Sequence, residues 1–144
     1  MGVVTAGWYA AGEIRRRRGD LDGAQEAYTR AHDVGRDPQP GMALLRLAQG
    51  RVEDATSSIA AALAAFTGSR MERAPLRTAQ VVIALAAGDV DLAEAGATEL
   101  TEVAEAFGSA GLHAAAHGAR GAVLLARDQP VAALVALRAA FDLW

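Results

Sequence analysis

The sequence predicts an all-α protein of four antiparallel helical hairpins, and three observations lead there. The first is composition: 52% of the 144 residues are hydrophobic and 22% charged. Much of the apolar share is alanine, which has the highest helix propensity and lets helices approach closely, whereas the β-branched and aromatic residues that favour strands are sparse. The second is a turn that recurs. GDLDGA (19–24), GRVEDA (50–55), GDVDLA (88–93) and RDQPVA (127–132) share a turn residue, a polar or acidic stretch and a closing alanine, and start 31, 38 and 39 residues apart. Such self-similarity marks repeat architectures. The third is a face: Ala24, Tyr28 and Ala31 answer to Ala55, Ile59 and Ala62, an i, i+4, i+7 pattern that aligns three side chains on one helix side. A hairpin with such a face cannot bury it alone and stacks on its neighbours.

Helix by helix, the first stretch (3–18) ends in four arginines, where positive charge complements the helix dipole, and Gly19 supplies the left-handed residue that closes it. Asp20 caps the second (21–35) by accepting a backbone N–H; His32 and Asp33 near its end read as a dipole-compatible charge site. The third (40–49) closes at Gly50 and is followed by the fourth (52–67). The fifth (71–87) holds the apolar run VVIALAA and closes at Gly88. Asp89 caps the sixth (90–107). In the fourth turn Arg127 stands in the glycine's place after the seventh (110–127), and Pro130 suits the first turn of the eighth (130–144).

The length fits one domain over residues 1–144, with hairpins at roughly 3–35, 40–67, 71–107 and 110–144. A net charge of −3 argues against a protein whose main task is holding nucleic acid. All fourteen basic residues are arginine, a bias that a GC-rich genome explains without any selection for guanidinium chemistry. Without cysteine the chain has no disulfide, thiol nucleophile or cysteine metal site. MGVVTAGWYAAGE carries no basic leader, and the longest apolar run is far short of the ~20 residues of a spanning helix. A cytoplasmic protein with no membrane association is the expectation.

Trp8, Gly12, Ala24, Tyr28 and Ala31 stand at the relative spacing of the tetratricopeptide signature, and the first hairpin resembles that family. Later copies lack the tryptophan and two exceed the usual ~34 residues, so the chain resembles a tetratricopeptide-like superhelix with altered local packing. What this resemblance implies is a concave groove lined by Tyr9, Glu13, Arg16 and Arg17 in the first copy and Leu44 and Leu47 in the second. Thr78, Val82 and Leu85 continue it in the third copy, and His117, Gly121, Leu124 and Leu125 in the fourth. Polar at one end and apolar over the rest, such a groove takes a partner helix or a small effector. The same leucines have an equal reading as core.

The run GEIRRRRGDLDGAQEAYTRAHDVGRDPQPGMALLRLAQGRVEDA, with the later GDVDLAEA and LLARDQPVAALVALRAAFDLW, also resembles the helical-repeat region of large actinobacterial transcriptional regulators of the LuxR and maltose-activator type. That resemblance implies a signalling role and a chain that is a fragment of a longer protein. Within the chain there is no G-x-x-x-x-G-K-[ST] run to cradle phosphates and no helix-turn-helix reader.

Candidate chemistry is thin. Successive helical residues lie about 100° apart, so Arg15 to Arg18 fan around the helix and do not form one patch. Glu13 can pair with Arg17 at i, i+4, leaving a solvated helix end as one reading and an anion contact by Arg16 and Arg17 as the other. His113 and His117 have the i, i+4 spacing of two metal ligands but no carboxylate in the adjoining turns, so packed or surface histidines are expected and no metal or cofactor. Arg70, Arg73 and Arg77, with Glu72 beside them, read as a solvated stripe. Neither the serines nor the Glu102–Glu105 pair forms a catalytic constellation. The expected function is therefore a non-catalytic protein-interaction or effector-sensing repeat, and the alternative is a self-associating scaffold.

Overall fold

The computed structural model describes the backbone of residues 2–143 and the side chains of residues 7–143. The described residues form eight helices and no strand: α1 (Gly2–Arg17), α2 (Leu21–Asp33), α3 (Gly41–Ala48), α4 (Val52–Ala65), α5 (Arg70–Ala86), α6 (Val90–Phe107), α7 (Ala110–Ala126) and α8 (Pro130–Leu143). The fold is all-α as expected, and the described helix ends fall within two residues of those predicted. The predicted end at residue 144 lies outside the described residues.

The four recurring turns share one closure. Asp20 N donates to Arg15 O, Arg51 N to Arg46 O, Asp89 N to Ala84 O and Gln129 N to Leu124 O, each at 2.9 Å. This bond spans five residues and satisfies an orphan carbonyl at a helix end; it requires a left-handed residue just before the donor. Gly19, Gly50 and Gly88 supply it with φ of 83°, 77° and 81°. In the fourth turn the left-handed residue is Asp128, at φ 60°, because aspartate tolerates this region better than most side chains. Arg127 is thus not the glycine's counterpart, and the fourth copy starts one residue later than its sequence pattern suggests. The correction carries to the closing alanine: Ala133, 1% exposed, joins Ala24, Ala55 and Ala93, each at 0%, whereas Ala132 is exposed.

Side-chain caps open the helices that follow. Asp20 accepts from Gly23 N and Asp89 from Leu92 N, as the sequence predicts. Ser69 opens α5 with a reciprocal capping box to Glu72, and Ser109 accepts from Leu112 N to open α7.

The chain divides into two compact units, residues 1–62 and 63–144. In the first, α1 packs on α2 and both touch α3. Ala24, Tyr28 and Leu45 make the core, with Tyr9, Leu21 and Met42 against it. A Cβ on Gly12 or on Gly41 would stand 2.6 Å from the Tyr28 ring. The ring therefore occupies space that only glycine leaves open on α1 and α3.

In the second unit α5, α6, α7 and α8 each pack on the next, and α5 also touches α7. Val81, Ala97, Leu100, Ala104 and Val123 are among the buried residues of its core. Small faces large here too. A Cβ on Gly96 would lie 2.8 Å from Val81, and one on Gly121 2.6 Å from Leu137. Gly12 and Gly121 occupy corresponding positions once the fourth copy is shifted, and both leave room for the side chain four residues beyond the closing alanine, Tyr28 and Leu137. Alanine and glycine thus set helix separation while a few large residues fill the remaining gaps.

Candidate functional site

In the first unit, four side chains chosen from the sequence as one groove end meet a different fate. Tyr28 Oη donates to Glu13 Oε1 at 2.5 Å and accepts from Arg16 Nε at 3.1 Å. Arg16 also donates to the other Glu13 oxygen at 2.9 Å. Tyr9 stacks at a tilt on Tyr28, with ring centroids 5.7 Å apart, and its hydroxyl accepts from Gly41 N at 3.1 Å. The Arg36 guanidinium sits 4.5 Å from the Tyr9 ring centroid, a cation–π contact. Tyr9, Glu13 and Arg16 are therefore brought together around a buried tyrosine: Glu13 and Arg16 satisfy its hydroxyl and Tyr9 packs on its ring.

This environment shifts the phenols. Burial and the hydrogen bond to Glu13 push Tyr28 well above the usual tyrosine value, and burial with the Glu13 charge raises Tyr9. Burial alone would lower Arg16, but its bonds to Tyr28 and Glu13 outweigh that and leave it raised. Arg17 is the open member. Its guanidinium is 3.6 Å from Glu13 and its side chain 75% exposed; the i, i+4 pair foreseen in the sequence is the longer contact, and the i, i+3 pair with Arg16 the shorter.

The second unit carries ion pairs on both sides of α6. Glu99 receives Arg73 at 2.6 Å and is in direct contact with Arg77, and Arg70 pairs with Glu102 at 2.9 Å. Arg77 further donates to Gln80 at 2.8 Å, a buried side chain. Toward α7, Arg127 bridges Asp91 and Glu94 at 3.0 and 2.5 Å, and those hydrogen bonds raise its pKa. Arg120 reaches Glu94 at 3.4 Å and Thr98 at 3.2 Å. The stripe Arg70, Arg73 and Arg77 is thus only partly solvated: Arg70 is half exposed, whereas Arg73 and Arg77 are mostly covered, and all three form the α5 side of an interhelical ladder. The signal was available, since Arg77 and Glu99 stand equally far before and after Gly88 in the hairpin.

The remaining groove positions fall as follows. Leu44 and Leu47 on α3 are half-buried. On α5, Thr78 donates to Ala74 O at 2.9 Å, Val82 is 48% exposed, and Leu85 packs against the core. The register found at the fourth turn moves the corresponding positions on α7 by one, from His117, Gly121 and Leu124 to Gly118, Ala122 and Leu125. Gly121 is buried under Leu137, His117 and Leu124 are half-buried, and Leu125 is 58% exposed.

The His113 and His117 rings stack with centroids 6.3 Å apart. Among the described residues no group of three or more His, Cys, Asp or Glu side chains converges as a metal site would need. No helix among them is long and apolar enough to cross a membrane. No family model, curated protein or solved structure matches this chain.

Proposed function

We propose that this chain is a tetratricopeptide-like repeat segment that works by binding, with a groove on the first helices of the second unit's hairpins, α5 and α7. Four turns with one hydrogen-bond closure, a buried alanine after each, and contacts of α1 with α3 and of α5 with α7 support the repeat reading. One observation carries the binding reading: Val82 on α5 and Leu125 on α7 are large apolar side chains left about half exposed on neighbouring helices. Unburied apolar side chains on adjacent helices suit the apolar face of a partner helix or an apolar effector. In the first unit Glu13 and Arg16 are already paired with each other and with Tyr28, so among the polar positions expected there Arg17 is the candidate for an anionic contact. The assignment to a LuxR or maltose-activator type regulator rests on the sequence resemblance alone, and in such a protein occupancy of the groove would shift how the repeats pack on flanking domains.

The test is photo-crosslinking in cells, with a benzophenone amino acid placed at Val82 or at Leu125. A defined adduct is expected from both positions and none from exposed Glu105 on α6. Equal labelling from all three positions would refute the groove. A second reading, self-association, is favoured by the apolar outer side of α8.

A further inference from the structure

Among the described residues, most of the exposed large hydrophobic side chains sit on one helix, α8. α8 buries Ala133 and Ala140 and lays Leu137 over Gly121 of α7. Its other side presents Val131 at 77% exposure, Leu134 at 51%, Val135 at 67% and Phe141 at 79%. Positions 131, 134, 135, 138, 141 and 142 follow helical spacing, so they form one stripe, apolar except for Arg138 and Asp142. Weighted by exposure, these side chains offer on the order of 500 Å² of apolar surface, the size of the largest apolar patch on a typical monomer, a patch that is often functional.

We propose that this stripe is a homodimer surface, on which the α8 of a second copy packs antiparallel across a two-fold axis. The inference rests on the self-association reading and not on the groove, which lies on other helices. Three features select a second copy as the occupant. The first is area: two such stripes facing each other bury roughly 1,000 Å² or more, the size a specific interface has to clear. The second is shape. In an antiparallel pair the bulky Phe141 at one end meets the smaller Val131 and Val135 of the other copy, and the fit is repeated by symmetry, as an isologous interface demands. The third is charge: α8 carries only Arg138 and Asp142. An anionic lipid surface would call for a basic border, which one arginine does not make. Arg138 sits near the middle of the stripe, close to the two-fold axis, where the two copies place like charges near each other. Association is therefore driven by apolar burial; Asp142, at i+4 on the same face, offsets the charge of Arg138, and an apolar side chain in place of Arg138 strengthens the contact.

Sedimentation of the full chain from micromolar to millimolar concentration tests this. A monomer–dimer equilibrium is expected, tightened by Arg138→Leu, and weakened at least ~10-fold by Val135→Glu with Phe141→Glu. Since the protein has no cysteine, Val135→Cys adds a single thiol, and mild oxidation should link copies through it but not through Glu105→Cys on α6. A chain that stays monomeric at every concentration leaves the stripe to a foreign partner and overturns the proposal. Dimers unaffected by the glutamates, loosened by Arg138→Leu, or linked equally well from both cysteine positions overturn it as well.

Discussion

Tyr28 shows how one side chain can serve packing and polarity together. Its ring fills the space that Gly12 and Gly41 leave, and its hydroxyl stands between Glu13 and Arg16. Tyr28→Phe keeps the ring and leaves a carboxylate oxygen and a guanidinium nitrogen without their partner, which should lower stability by about 1–3 kcal/mol. Denaturant unfolding measures it; an unchanged midpoint would mean that the hydroxyl contributes nothing. The same contacts set a pH dependence. The folded-state pKa of Tyr28 is raised above the ordinary 10.0, so its contribution is complete below that pH and is lost as pH rises through the folded-state value. In an alkaline titration tyrosinate absorbance from Tyr28 should therefore appear together with loss of helical dichroism. Full ionisation of both tyrosines near pH 10 in a still-helical protein would contradict this. Gly12 and Tyr28 were legible as signature positions from their spacing, but neither their mutual packing nor the hydroxyl's partners were, because which of four consecutive arginines turns inward depends on where α1 meets α2.

At the level of helices and turns, the fourth turn departs from the other three. Asp128 holds a left-handed conformation that glycine adopts without steric penalty. Asp128→Gly should stabilise the protein by about 0.5–1 kcal/mol, less than the full left-handed penalty because glycine also loses more entropy on folding. Thermal unfolding checks it, and a lowered midpoint would show that the aspartate side chain stabilises the turn. The ladder between α5 and α6 makes a different prediction. Glu99, 16% exposed, faces two arginines that are about a quarter exposed. Glu99→Gln removes the shared counter-charge and should lower stability by about 1–3 kcal/mol, toward the lower end because solvent reaches the arginines. Salt should narrow the difference between the two proteins; a deficit that salt does not change would assign the loss to packing instead. These pairs escaped notice because a stripe of like charge on one helix reads as solvated until its opposing helix is aligned through the turn.

For the molecule as a whole, stability and association are linked if α8 forms the dimer proposed above. Binding that exists only between folded copies adds to stability by mass action. The unfolding temperature should then rise with protein concentration, and this rise should vanish in the protein carrying Val135→Glu and Phe141→Glu. A midpoint independent of concentration in the parent chain would separate folding from any association. What the sequence by itself determined is local: helix throughout, with the described ends of eight helices placed within two residues, and three of the four recurring turns to the residue. Alanine propensity, glycine and aspartate at helix ends and apolar spacing act over a few residues, so they can be read without coordinates. Only the tertiary structure decided which positions correspond between copies and which charges are spent. It moved the fourth copy by one residue, buried Gly121, closed Arg16 onto Glu13 and Tyr28, and left the outer stripe of α8 open. Those outcomes depend on side chains meeting across helices, and there a shift of one residue, about 100° around the axis, exchanges a buried position for an exposed one.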